Sequence, residues 1–169
     1  MDILRLTVTG WSKEKPAQNW SKVWKITAVN GAEDIGKMLD NKHTTSFKTS
    51  GSPSYPWIHI ELKRNYFITK VAILSGSEPL MNLQVRVGGS KQKPSGTKVA
   101  TANRFCGMYY GPTLVPHQWV EIDCGLARGV RGKYLILQLT DRFMVNNPLE
   151  ITELEIYGWG RVCGMGGPK

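Results

Sequence analysis

Long apolar runs are missing from this sequence: no stretch approaches the ~18 residues that a membrane-spanning helix requires. The opening Met1-Asp2-Ile3-Leu4-Arg5-Leu6 also lacks the extended apolar core of a secretory leader, which leaves a cytosolic chain or one that begins after a removed leader. Helical periodicity is scarce, confined to residues 32–39, where Ile35, Met38 and Leu39 share one side of a short helix. The three histidines, His43, His59 and His117, lack metal-ligand spacing, and neither a Gly-x-Ser-x-Gly elbow nor a phosphate loop occurs. His59 reads as the outward residue of a strand and His117 as a loop residue after Pro116, both surface positions. An enzyme is therefore a distant third among the function classes considered below. Cysteine is rare too, at three residues. Basic clustering is absent: Lys and Arg outnumber Asp and Glu by 22 to 13, a formal charge of +9, yet the longest basic run is the pair Lys63-Arg64. That scatter excludes the dense stripe of a nucleic-acid footprint and favours general solubility, with a polyanion such as sulfated glycan or acidic phospholipid as the other outlet.

What is there fits one domain. At 169 residues the chain can bury roughly 68–70% of its unfolded surface in one core. Its 18 Gly and 9 Pro are dispersed, as many turns between short elements require. Trp57-Ile58-His59-Ile60-Glu61-Leu62 alternates so that Ile58, Ile60 and Leu62 share a face, and Leu83-Gln84-Val85-Arg86-Val87 does the same. Residues 67–74, 119–124, 132–139 and 149–157 carry further strand chemistry. Segments rich in Gly, Pro, Ser and Asn at 48–56, 88–96 and 144–148 read as loops. The spacing predicts an all-β antiparallel sandwich rather than βαβ units. No internal repeat or linker divides the chain, so residues 1–19 read as an extension or edge strand, 20–158 as the domain and 159–169 as a glycine-rich tail that leaves it. The sequon Asn19-Trp20-Ser21 has meaning only in the secretory pathway.

The order of these elements resembles a known family. Met38-Leu39-Asp40-Asn41-Lys42-His43-Thr44-Thr45-Ser46-Phe47 followed by Pro56-Trp57-Ile58-His59-Ile60-Glu61-Leu62 resembles the opening of discoidin-like domains, and residues 149–158 resemble their final strand. Val85-Arg86-Val87-Gly88, Asn103-Arg104-Phe105-Cys106-Gly107 and Gly129-Val130-Arg131-Gly132-Lys133-Tyr134-Leu135 are similar to blocks of the fucolectin, or F-type lectin, branch. The resemblance implies a galactose-binding-domain-like jelly roll, secreted and non-enzymatic, holding a ligand in the loops at one end of the sandwich. It does not deliver the ligand, because this fold carries sugar, phospholipid and protein ligands alike.

It further implies that Cys106 pairs with Cys124, where composition alone would equally allow two buried thiols. Cys163 is then left over, free or in an intermolecular bridge. The family's fucose site implies a His before the Trp57 strand and two Arg after Leu74, and this chain has neither: the loops read Phe47-Lys48-Thr49-Ser50-Gly51-Ser52-Pro53-Ser54-Tyr55 and Ser75-Gly76-Ser77-Glu78-Pro79-Leu80-Met81. Recognition of simple fucose is therefore not expected. In its place stand Lys48, Tyr55, Glu78, Leu80, Met81, Arg104, Tyr109 and Tyr110, where tyrosines beside cations suit the stacking and hydrogen bonding of a sugar. The alternative has Tyr109 and Tyr110 packed over the Cys106 bridge and Leu80 and Met81 capping the core. The resemblance also implies a structural calcium held by Asp40, a serine such as Ser50, and Glu153, with backbone oxygens of Lys42 and Thr152. Against it, Asp40 serves equally as a turn cap and Glu153 as a solvated strand residue. The leading expectation is a lectin-like or adhesion module for a glycan other than fucose, and the runner-up is a protein-interaction domain contacting polyanions or lipid head groups.

Overall fold

The computed structural model describes residues 23–30, 34–50, 54–95, 97–125, 127–141 and 148–160. The predicted extension with its sequon and Cys163 lie outside them. Eight strands follow in order: β1 Val23–Ala28, β2 Phe47–Lys48, β3 Trp57–Ser75, β4 Leu83–Gly88, β5 Arg104–Tyr109, β6 Trp119–Asp123, β7 Val130–Leu139 and β8 Glu150–Trp159. Between β1 and β2 lies a 3-10 helix, Ile35–Leu39, which buries Met38 and Leu39. Every pairing is antiparallel.

The two strands expected around residues 57–62 and 67–74 are one 19-residue strand. Its first half pairs with β1 on one edge and β7 on the other, and its second half pairs with β8 and β6. The ladder to β7 breaks register between Glu61 and Tyr66, which is where β3 passes from one layer of the sandwich to the other. One layer is thus β1-β3-β7-β4-β5 and the other β2-β8-β3-β6. Ile58, Ile60, Leu62, Val85, Val87, Leu135 and Leu137 face Val71, Ile73, Val120, Ile122, Ile151 and Ile156 across a single apolar core. Each such side chain contributes roughly 1.5–3 kcal/mol by leaving water.

Three strands escape the sequence reading. β1 and β2 are short, and β5 runs through the segment expected to be a loop around Cys106. At the other extreme β8 continues past the expected boundary, because Trp159 pairs with Phe67 and stacks on its ring at 4.2 Å. Cys106 and Cys124 are bridged, tying β5 to the end of β6.

Candidate functional site

The pairings set one end of the sandwich. Lys48 pairs with Glu150, Leu83 with both Tyr109 and Leu139, and Leu74 with Trp119, so the loops after β2, β3, β5 and β7 converge there. Backbone hydrogen bonds staple them to one another. Thr113 N–H donates to the Leu80 carbonyl at 2.9 Å, Leu80 N–H donates to Thr113 Oγ1 at 2.9 Å, and Thr140 N–H donates to the Asn82 carbonyl at 2.9 Å. Asn30, in the left-handed region at φ 58, turns the chain after β1. Its amide donates to the Ser50 carbonyl at 3.1 Å while its own carbonyl accepts from Ser50 Oγ, so the turn is joined to the loop after β2.

Between them opens a polar cavity of about 430 Å³, lined by Asn30, Asp34, Lys37, Ser46, Lys48 and Ser50. Glu150 anchors its rim. The carboxylate accepts from Ser46 Oγ at 2.8 Å, Ser77 Oγ at 3.0 Å and the Glu78 N–H at 3.4 Å. Burial pushes this carboxyl up, but the hydrogen bonds from Ser46, Ser77 and Glu78 outweigh it and hold the group below the usual carboxylate range. Gly76 makes room for it, since a Cβ there would stand 2.2 Å from Glu150 Cδ. Lys48 Nζ lies 3.8 Å from Glu78 and 3.9 Å from Glu150, an ion pair with about half of the lysine side chain still exposed.

Of the residues expected from sequence, Lys48 and Glu78 therefore meet, and Met81 lies beside the 109–111 segment on the adjoining loop. The tyrosines divide. Tyr109 is half-buried against the core, as the core-packing alternative required, whereas Tyr110 is 70% exposed. Tyr55 is half-buried and lends its carbonyl to Gln138. Arg104 does not join this end: it pairs with Val87 at the opposite end of β5. Leu80 is buried, and Leu114 and Val115 stand exposed nearby, unremarked in the sequence. Asn30, Asp34, Lys37 and Ser46 were missed as well, because no local pattern marks residues that a cross-sheet loop brings together.

Of the expected calcium donors, Asp40 and Ser50 have hydrogen-bond partners within the chain. Asp40 gives one carboxylate oxygen to the Lys42 N–H and the other to Thr45 Oγ1, each at 2.9 Å, which is a turn cap. Ser50 Oγ donates to the Asn30 carbonyl, and Thr152, expected to offer its backbone oxygen, uses its hydroxyl on the Ser75 carbonyl at 3.0 Å. Glu153 is buried rather than solvated. Among the described residues no group of three or more His, Cys, Asp or Glu side chains is placed to hold a metal. Also among them, no helix is long and apolar enough to cross a membrane.

His59 corrects a second expectation. It does lie on the outer face of β3, but it is buried there, because the segment after β4 folds back across the sheet. Gln138 pins that segment, accepting from Ala100 N–H at 2.7 Å and donating to the Lys98 carbonyl at 3.0 Å.

Solved structures share this architecture. The chain superposes on the module CpGH89CBM32-6 of Clostridium perfringens with a TM-score of 0.59 at 10% identity, covering 79% of this chain and 92% of that one. It matches the fucolectin from striped bass (Morone saxatilis) serum with a TM-score of 0.60 at 20% identity, over 79% of this chain and 46% of that one. The fold is the discoidin-like jelly roll. A third match, CpGH89CBM32-5 from the same bacterium in complex with GalNAc-β-1,3-galactose, gives a TM-score of 0.57 at 16% identity, over 79% of this chain and 94% of that one. No protein-family model matches the chain, and no curated protein does. These neighbours of the discoidin-like jelly roll are carbohydrate-binding modules and a lectin.

Proposed function

We propose that this chain is a non-catalytic, extracellular glycan-binding module that takes a sugar other than simple fucose in the loop-end cavity. The observation that carries the reading is the cavity itself. Its volume of about 430 Å³ falls in the range of small-ligand sites, and its lining supplies amide, hydroxyl, ammonium and carboxylate groups converging on one space. Lys48 offers a cation already oriented by Glu78 and Glu150, and Tyr110 offers an exposed ring on a neighbouring loop. Cation and anion are matched here, since Lys37 lies 2.7 Å from Asp34, which suits an uncharged hexose better than an acidic one. The Cys106–Cys124 bridge supports an oxidising compartment. Binding of GalNAc-β-1,3-galactose by one structural neighbour supports the ligand class.

A panel of neutral glycans tests the reading. Lys48→Ala is expected to weaken the best ligand about tenfold or more, the loss of one charge-assisted hydrogen bond, with free L-fucose inactive throughout. Unchanged affinity in Lys48→Ala, or tight binding of fucose, would overturn it.

A further inference from the structure

A second depression, about 290 Å³, lies away from the loop end on the outer face of the first layer. β1 forms one wall, where Lys25 stands opposite Glu61 and Thr27 opposite His59. The segment after β4 forms the other and contributes Lys91 and Lys93, with Tyr134 of β7 at the side. That segment is held in shape by Asn103, whose Oδ1 accepts from Ser90 N–H and whose amide donates to the Ser90 carbonyl, both at 3.0 Å. The cleft is therefore fixed by both walls rather than by loose surface chains.

The charge balance inside it points to a ligand. Glu61 is taken by Lys133 at 2.7 Å, while no described carboxylate lies within 4.0 Å of Lys25, Lys91 or Lys93, so three positive charges face one space uncompensated. His59 is 5% exposed, and its Nε2 and the Thr27 hydroxyl are both buried with no hydrogen-bond partner. Both atoms are closed to solvent beneath the cleft, so the groups a ligand meets are the lysines and the Tyr134 ring. We propose that this cleft binds the sulfate or carboxylate group of an acidic saccharide. Lys25, Lys91 and Lys93 supply the charge, and the Tyr134 ring meets the sugar, with His59 beneath them. The volume admits a single sugar-sized group, whereas a nucleic-acid backbone calls for an extended basic stripe. An acidic lipid surface needs exposed apolar anchors, and those among the described residues, Phe105, Tyr110, Leu114, Val115 and Trp119, line no part of this cleft.

His59 reports on occupancy. Burial holds its imidazole below the usual value and the Lys93 charge adds to this, while Glu61 opposes; Lys25, Lys91, Lys133 and Tyr134 are the other titratable groups around it. An oxyanion among the lysines offsets the second cause, so the bound form takes up a proton more readily and affinity rises as pH falls.

The test is NMR titration of the His59 ring with galactose 6-sulfate, galacturonate, galactose and inorganic sulfate, alongside an acidic phospholipid vesicle and a DNA duplex. The acidic sugars are expected to move the His59 signal and raise its titration midpoint, galactose to do neither, and inorganic sulfate to bind more weakly than galactose 6-sulfate. Lys91→Glu with Lys93→Glu, both at the surface, should cut affinity for the acidic sugars at least tenfold, and Lys48→Ala should not. The proposal is overturned if galactose moves His59 as far as its sulfate does, if inorganic sulfate binds as tightly, if the paired variant binds as well as the parent, or if only the vesicle or the duplex binds. It stands or falls apart from the loop-end reading, which Lys48→Ala addresses.

Discussion

At the loop end Lys37 sits 2.7 Å from Asp34 and Lys48 is shared between Glu78 and Glu150, whereas on the sheet face Lys25, Lys91 and Lys93 meet no described carboxylate within 4.0 Å. Both depressions draw on hydroxyls and lysines but differ in charge balance. Matched pairs leave a site whose selectivity rests on hydrogen-bond geometry. Unmatched cations make one whose selectivity rests on the sign of the ligand's charge and weakens with salt. The two proposed sites would give one scaffold two kinds of recognition.

The largest expected effect breaks the scaffold that both depressions share. Replacing Cys106 and Cys124 by serine opens a loop of sequence separation 18 and should lower stability by about 3 kcal/mol. Urea unfolding followed separately by tryptophan fluorescence and by the His59 ring signal checks whether both regions are lost in one transition, as a single core requires. Two separated transitions would mean that the comparison joins independent units.

Next comes the anchor of the loop end. Glu150→Ala leaves the Ser46 and Ser77 hydroxyls and the Glu78 N–H without their acceptor, at a cost of about 1–3 kcal/mol. Its folded-state value lies below 4.5, so the stabilisation it gives is present above that pH and is lost as pH falls through the folded value. Melting curves across acid pH should therefore flatten in Glu150→Gln. An unaltered acid profile would show that the carboxylate is not the group holding the loops.

Much of the fold was legible because period-two alternation survives wherever a strand has one face in the core, as at Ile58, Ile60 and Leu62 or Val85 and Val87. β5 was not, since Arg104-Phe105-Cys106-Gly107-Met108-Tyr109 places an exposed Phe beside a buried Cys and Gly. Gly107 is there because a Cβ would stand 2.5 Å from the Asp123 carbonyl oxygen, a cross-strand contact that no local pattern encodes. The family resemblance located the loop end and Lys48, but it also drew in Arg104, which strand direction puts at the other end. The sheet-face cleft was invisible for a different reason: Lys25, His59 and Lys93 come from three separate segments, and only the β1–β3 register and the folded-back loop unite them.

The two tyrosines sharpen the loop-end half of the comparison. Tyr109→Ala should cost about 2 kcal/mol by removing a half-buried ring from the core edge, whereas Tyr110→Ala should stay within about 0.5 kcal/mol in stability. On glycan binding the order reverses, with Tyr110→Ala losing roughly 0.5–1.5 kcal/mol if its ring stacks on the sugar. Chemical denaturation and glycan titration of both variants separate scaffold from site, and equal stability losses would place Tyr110 in the core after all.

The smallest effect bears on the sheet face. Lys93→Gln removes one exposed cation that belongs to no ion pair among the described residues, so stability at neutral pH should change by less than about 0.5 kcal/mol. Its consequence lies in the titration of His59. Burial is the larger cause of the depressed value and Lys93 the second, so the variant should raise the NMR midpoint while leaving it below 6.5. The sign for stability follows from the depressed value. The folded state disfavours protonated His59, so acidification from 6.5 toward the folded midpoint destabilises the parent, and Lys93→Gln should narrow that window from below. If the midpoint does not move, Lys93 does not face the imidazole, and the lysines outside the loop end are solvated charges rather than the wall of a cleft.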